Sequence, residues 1–267
     1  MIEIDGYHLT LDDVARVARR GEQVRLSEQG RKQILSARQH LNAILATGEP
    51  VYGINTGFGI FADQRIPAEE SEALSRNLIL SHAVGTGPAL PIEVVRAAML
   101  VRANTLAKGF SGVRVEVVQT LLDMLNLEVI PVVPSQGSLG SSGDLCPLSH
   151  LALVFTSDER DLDEESGEAI FRGTLMSGKR AMKNAGIARI LLGAKEGLAL
   201  NNGATFSAAI GALAVIDAGC LLDIADLALA LTLEAVLGCS NAFDRRLHDA
   251  RGHLGQVEVA QQVLRFT

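Results

Sequence analysis

Residues 208–237, AAIGALAVIDAGCLLDIADLALALTLEAVL, decide how this chain folds. The stretch contains no proline, and Asp217, Asp223, Asp226 and Glu234 are strung along an otherwise Ala- and Leu-rich run. Alanine and leucine lose little on entering a helix, so one long helix is predicted here. A helix of this length and composition belongs to a bundle, often an oligomeric one. Just upstream, the uncharged stretch 197–216 includes Asn201, Asn202, Thr205, Ser207 and several glycines. Those polar and turn-forming residues argue for a loop followed by a buried helix rather than a membrane span. Downstream, Asp244-Arg245-Arg246 opens a loop and then an amphipathic helix to Phe266. Thr267 follows with no terminating signal, so a first domain over 1–195 and a truncated second one over 196–267 are expected.

Moving outward toward the N-terminus, MIEIDG reads as a short strand and Leu11 to Arg19 as a helix. Ser27 is a candidate N-cap for a helix through Ala46, with Ile34, Leu41 and Leu45 at helical spacing. A glycine-rich turn follows at Tyr52-Gly53-Ile54-Asn55-Thr56-Gly57-Phe58-Gly59. Periodicity and the lack of breakers predict helices at 68–83, 92–108 and 113–126. The stretch 127–147, LEVIPVVPSQGSLGSSGDLCP, has too much proline and glycine for a continuous helix. It is expected to be a short extended segment feeding an irregular loop. The acidic stretch from Asp158 to Glu168 is expected to be a solvated excursion.

Composition narrows the function classes. Of 267 residues, 48% are apolar and 21% charged, which suits a globular protein with a sizeable core. Aromatics are only 4%, with no Trp and the two tyrosines Tyr7 and Tyr52, so Leu, Ala, Ile and Val must fill the interior. The net charge of −7, without a Lys/Arg block, gives no electrostatic footprint for nucleic acid or an anionic membrane. Cys146, Cys220 and Cys239 are odd in number and show no CxxC spacing, which points to reduced thiols and a cytoplasmic chain. The early acids of MIEIDGYHLTLDD rule out a signal peptide there. His8, His40, His150, His248 and His253 show no metal-ligand spacing, so no metal is expected.

The chemistry-bearing segment is Gly137-Ser138-Leu139-Gly140-Ser141-Ser142-Gly143-Asp144. It lacks the Lys-Ser/Thr of a phosphate-cradling loop, the spacing of a nucleophile elbow and that of a dinucleotide fingerprint. By composition alone a Gly/Ser cluster of this kind is a surface turn. Extended through Leu145-Cys146-Pro147-Leu148-Ser149-His150, however, it resembles the signature of the aromatic amino acid ammonia-lyase family. In that family the central tripeptide cyclises unaided into the electrophile methylidene-imidazolone (MIO). The resemblance thus implies an MIO made from Ser141-Ser142-Gly143. The amide nitrogen of Gly143 attacks the carbonyl carbon of Ser141, whose oxygen leaves as one water, and Ser142 loses its hydroxyl as a second to become the methylidene. Ser141 stands where the family usually has Ala, but it lends only its carbonyl.

Three further segments carry the same resemblance. Tyr52, in Tyr-Gly-Ile-Asn-Thr-Gly-Phe-Gly, corresponds to the catalytic base, and a positioned base is worth roughly 10²–10⁴-fold. A tyrosine titrates near pH 10, so such a site must depress its pKa or hold it as phenolate. Ser81-His82, in Asn77-Leu78-Ile79-Leu80-Ser81-His82, occupies the substrate-selectivity position. A Ser-His pair there resembles histidine lyases, His-Leu tyrosine lyases, and Phe-Leu or Leu-Leu phenylalanine lyases. His82 can exchange a hydrogen bond with an imidazole, whereas a phenyl ring would leave a buried donor unpaired at about 1–3 kcal/mol. Asn202, in Glu196-Gly197-Leu198-Ala199-Leu200-Asn201-Asn202-Gly203, aligns with the asparagine that hydrogen-bonds the imidazolone oxygen.

Taken together, the resemblance implies a mainly α fold. An N-terminal MIO-loop domain with a few short strands would precede the start of a long central helical bundle, assembled as a homotetramer. The implied reaction eliminates ammonia from L-histidine to give trans-urocanate, with no metal, nucleic acid or membrane partner. Family members are longer, share active sites between subunits, and draw a carboxylate-binding arginine and further Tyr, Phe and Glu groups from the half absent here. Two alternatives stay open: a phenylalanine or tyrosine lyase or aminomutase of the same family, and a catalytically silent chain with a binding role.

Overall fold

The computed structural model describes residues 1–57, 64, 66–67, 70–139 and 142–267. Strand β1 (Ile2–Ile4) leads to helix α1 (Leu11–Arg20), which Thr10 and Asp13 start as a capping box and Gly21 ends at φ 67°. Strand β2 (Val24–Leu26) pairs parallel to β1, Ile2 opposite Val24. Ser27 caps α2 (Glu28–Thr47) as predicted, its Oγ accepting from the Gly30 N–H at 3.0 Å. The turn 51–57 follows; the remaining residues of the quoted glycine-rich motif, Phe58 and Gly59, lie outside the described residues, as do 68–69 of the predicted helix 68–83.

Helix α3 (Ser71–His82) ends in the Ser81–His82 pair and passes into strand β3 (Thr86–Ala89). Helices α4 (Ile92–Ala107) and α5 (Val115–Asn126) match the predicted spans closely and form the centre of the core. Val95, Ala98, Met99, Leu100 and Leu106 of α4 are buried against Val118, Leu121, Leu122 and Leu125 of α5, with α1 on the other flank. Each such leucine is worth roughly 1.5–3 kcal/mol of burial.

The proline-rich stretch splits into β4 (Val129–Pro131) and β5 (Pro134–Gln136), and β5 pairs antiparallel with β3. The irregular loop is shorter than expected, because α6 (Leu145–Phe155) already includes Cys146 and Pro147. Pro147 is tolerated there because the N–H groups of a first helical turn have no intrahelical acceptor. After β6 (Thr156–Ser157) the acidic stretch departs from a freely solvated excursion. Asp158 and Glu165 pair with Arg160, Asp161 pairs with Arg189 and Lys179, and Ser166 is buried. It leads into an unforeseen hairpin, β7 (Glu168–Phe171) and β8 (Thr174–Ser177), which extends β4 into a three-stranded sheet of order 4-7-8. Helix α7 (Gly178–Ala185), β9 (Ile190–Leu191, parallel to β6) and α8 (Glu196–Asn201) complete the approach to the long helix.

That helix, α9 (Thr205–Ala235), is continuous, as residues 208–237 predict. The chain divides into two compact units, Met1–Leu213 and Ala214–Thr267. In the first, Phe206, Ala209 and Leu213 of α9 join the core. The helix expected to be buried within 197–216 is so only on the face of Phe206, Ala209 and Leu213; Val215 is exposed, and beyond it so are Leu221, Leu222, Ile224 and Leu231. No described element of this chain covers those faces. By length and composition alone, the stretch Glu196–Ala235 could cross a membrane. In the second unit, α10 (Arg245–Arg251) and α11 (Leu254–Phe266) pack together, with Val257, Ala260 and Val263 as the buried stripe of α11.

Candidate active site

The Ser142–Asp144 segment forms a tight turn at the head of α6. The Asp144 N–H donates to the Ser142 carbonyl at 3.2 Å across Gly143, whose φ is 79°. A two-residue closure with positive φ at its centre is a strained γ-turn that favours glycine. The constraint is conformational rather than spatial, since a Cβ on Gly143 would meet only the Ala204 methyl, at 4.0 Å. Ser138 Oγ donates to the Gly143 carbonyl at 2.7 Å and tightens the loop from its upstream side. Ser142 and Gly143 are half-buried; Ser141 lies outside the described residues.

The structure brings this turn against the 202–207 segment, some sixty positions later in sequence. The Asp144 N–H also donates to the Gly203 carbonyl at 3.1 Å. The buried Asp144 carboxylate accepts from the Ser207 N–H at 2.9 Å and the Ser207 hydroxyl at 3.1 Å, so it caps the first turn of α9. Asn202, the cap residue of α8, immediately precedes the Gly203 carbonyl that the Asp144 N–H holds. Its segment borders a cavity of about 400 Å³ lined by Val101, Arg102, Thr105, Asn202, Gly203 and Thr205. Asp144 has no assigned role in the sequence reading, although it sits inside the signature motif. Arg102 was not singled out either. Its signal was a cation inside an otherwise apolar helix, where charge is rarely buried without a task.

The Ser81–His82 pair is held by its own helix end. The Ser81 hydroxyl and His82 Nδ1 both meet the Leu78 carbonyl, at 3.1 and 2.8 Å. A carbonyl only accepts, so Nδ1 carries the proton and Nε2 keeps its lone pair. Three residues on, the Gly85 N–H donates to His150 Nε2 of α6 at 2.9 Å. A Cβ on Gly85 would lie 3.1 Å from Cys146 Sγ, the Gln136 carbonyl and His150 Nε2 alike. Burial pushes the His150 pKa down, which favours the neutral ring needed to accept that bond. The segment that follows the Ser81–His82 pair is thereby fastened to the helix whose head bears the γ-turn.

Tyr52 stands exposed on a separate turn. Asn55 builds that turn, accepting from the Val51 N–H at 2.7 Å and donating to the Glu49 carbonyl at 2.8 Å, while Gly53 takes φ 72°. At the far end of α8, the fully buried Glu196 is clamped by Arg114 and by the Gly193 N–H. Burial acts to raise its pKa, but the Arg114 and Gly193 hydrogen bonds prevail and hold it below the usual carboxylate value. α8 is thus anchored at one end by Glu196 and joined to the γ-turn at the other.

The strained turn, its glycine and the Asn202–Gly203 segment hydrogen-bonded to it fit an MIO built from the chain's own backbone. The sequence model of the family described as Aromatic amino acid lyase matches residues 9–267. The chain is 48% identical over 265 residues to a histidine ammonia-lyase of Alkaliphilus oremlandii (strain OhILAs), covering 99% of this chain and 51% of that protein. A histidine ammonia-lyase of Myxococcus xanthus (strain DK1622) is 46% identical, again over 99% and 51%. Among solved structures, histidine ammonia-lyase from Trypanosoma cruzi superposes with a TM-score of 0.87 at 37% identity, covering 98% of this chain and 49% of that one. The phenylalanine aminomutase of Pantoea agglomerans gives 0.89 at 31%, covering 98% and 49%. The chain therefore spans about half the length of the curated relatives it matches. It belongs to the aromatic amino acid lyase family.

Proposed function

We propose that this chain is the electrophile-bearing half of a histidine ammonia-lyase, converting L-histidine to trans-urocanate and ammonia. The observation that carries the reading is the hydrogen-bonded pairing of the Ser142–Asp144 turn with the Asn202–Ser207 segment. Ser142 and Gly143, with Ser141, would form the MIO, which supplies an electrophilic methylidene able to activate the amino group as a leaving group. Asn202 would hold that group by donating a hydrogen bond to its oxygen, a donor of the oxyanion type. Tyr52 takes the part of the general base that removes the β-proton. His82 Nε2 offers an acceptor to the substrate's imidazole N–H, and Ser81 orients the pair.

Three of these groups, Tyr52, Ser81 and Asn202, are exposed in this chain. Electrostatic catalysis needs a water-excluded site, so a cover beyond the described residues is called for. The bare α9 surface asks for the same cover, and we place the enzyme in the cytoplasm as a homotetramer whose subunits complete one another's sites. The decisive experiment supplies a relative's C-terminal half to this chain. Rising ultraviolet absorbance from urocanate is expected with L-histidine and not with L-phenylalanine or L-tyrosine. Turnover of phenylalanine or tyrosine in preference to histidine overturns the substrate assignment. The chain alone is expected to show little or no turnover.

A further inference from the structure

Arg102 projects from the middle of α4 into the turn that links α8 to α9. Through Nη2 its guanidinium donates to the carbonyls of Ala199 and Asn202, the latter at 2.8 Å, and through Nη1 to Thr205 Oγ1 at 3.3 Å. The Asn202 carbonyl belongs to the peptide that enters Gly203. The next carbonyl, that of Gly203 itself, is held from the opposite side by the Asp144 N–H. Two consecutive peptide planes are therefore gripped by two different elements, with Gly203 between them at φ 148°. A Cβ at Gly203 would lie 2.8 Å from Arg102 Nη1, so the glycine admits the guanidinium. Glycine is also the residue whose backbone wanders most when nothing holds it.

Resting on the ammonia-lyase reading above, we infer that Arg102 is the positioning residue that sets the Asn202 side chain against the Ser142–Asp144 turn. It acts through the backbone of Asn202 and Gly203 and touches no substrate. Stability alone does not account for it. Arg102 is 4% exposed, and its Nε has no hydrogen-bond partner among the described residues. Burial pushes its pKa down to about 10 against the pull of Asp144, a cost that an apolar residue would avoid. The gain is geometric: a planar fork reaches three acceptors in fixed directions, and a lysine ammonium does not.

Six positions earlier on the same helix lies a natural control. Arg96 is equally buried and also donates to backbone carbonyls, but to those of Val17 and Leu125, next to α1 and α5. The test compares the full chain with its Arg102→Met, Arg102→Lys and Arg96→Met variants by intact mass and by hydrogen exchange. The parent and R96M are expected to show the loss of two waters that accompanies cyclisation. R102M should reach a cyclised fraction lower by about tenfold or more, the scale on which small misplacements act. The Asp144 and Ser207 amides should exchange faster in R102M and stay protected in R96M. R102K should fall between, and it decides the matter if R102M does not fold. Should R102M, or R102K in its place, cyclise and protect those amides as well as R96M does, Arg102 is merely structural and the inference is overturned. A parent chain that keeps its full mass overturns the MIO reading instead, and the exchange comparison still decides the role of Arg102.

Discussion

Helices α4 and α9 are composed of much the same apolar residues and meet opposite environments. Along α4, Val95, Met99, Leu100, Ala103 and Leu106 are buried on every side, and even its two inward arginines are covered. Along α9 only Ala230 among the described residues is buried beyond Leu213, and Val215, Leu221, Leu222, Ile224 and Leu231 face outward. A helix that is apolar all round is written to be covered on all faces. For α4 the covering helices α1 and α5 lie within this chain; for α9 beyond Leu213 no such cover stands among the described residues. The difference shows how a complete core and a largely uncovered helix can stand in one chain. The core is filled by residues through Leu213, whereas no described element covers the outward side chains of α9 beyond it.

Stability measurements can break that contrast. Leu100→Ala should lower the unfolding free energy by about 2–5 kcal/mol in denaturant titrations. Leu222→Ala, at a side chain 66% exposed, should change it by less than about 0.5 kcal/mol. Equal losses would mean that α9 is as well packed as α4. Thiol labelling sharpens the same point. Cys220 and Cys239 are exposed and Cys146 is buried. In the chain alone Cys146 should react about 10²-fold more slowly, as an opening free energy of about 2.7 kcal/mol implies. Supplying the C-terminal half of a relative should then protect Cys220 and leave Cys146 unchanged.

Acid should strike the first unit through Glu196. Its folded pKa lies below the ordinary 4.5, so its contribution is present above that value and is lost as pH falls through the folded one. Acid unfolding monitored by circular dichroism should steepen below pH about 4.5, and Glu196→Gln should flatten that limb while lowering stability at neutral pH. The smallest effect is at a helix start. Thr10→Ala removes one half of the α1 capping box and should cost about 1 kcal/mol.

Local signals made much of this legible. Ser27, the spacing of Ile34 and Leu41, and the breaker-free runs placed α2, α4 and α5 to within a residue or two, because caps and periodicity act over a single turn. The β7–β8 hairpin escaped notice, since its acidic flank hides strands that form by pairing with β4. Pro147 concealed the start of α6, because proline breaks a helix interior but not its first turn. For the candidate site, the Ser142-Gly143 motif and Asn202 were visible as separate segments. Their union through Asp144, Gly203 and Ser207 was not, nor was the grip of Arg102.

By itself, then, the sequence determined the helical class, the signature that identifies the family, and the residue types available for chemistry. Those follow from propensity and covalent structure, which are properties of short segments. Only the tertiary structure decided that the γ-turn meets the residues just after α8, that Gly85 is fastened to His150, and that α9 is largely uncovered beyond Leu213. Each of these depends on contacts between residues far apart in sequence, and it is the packing of whole elements, through the apolar area they bury, that chooses among the possible pairings.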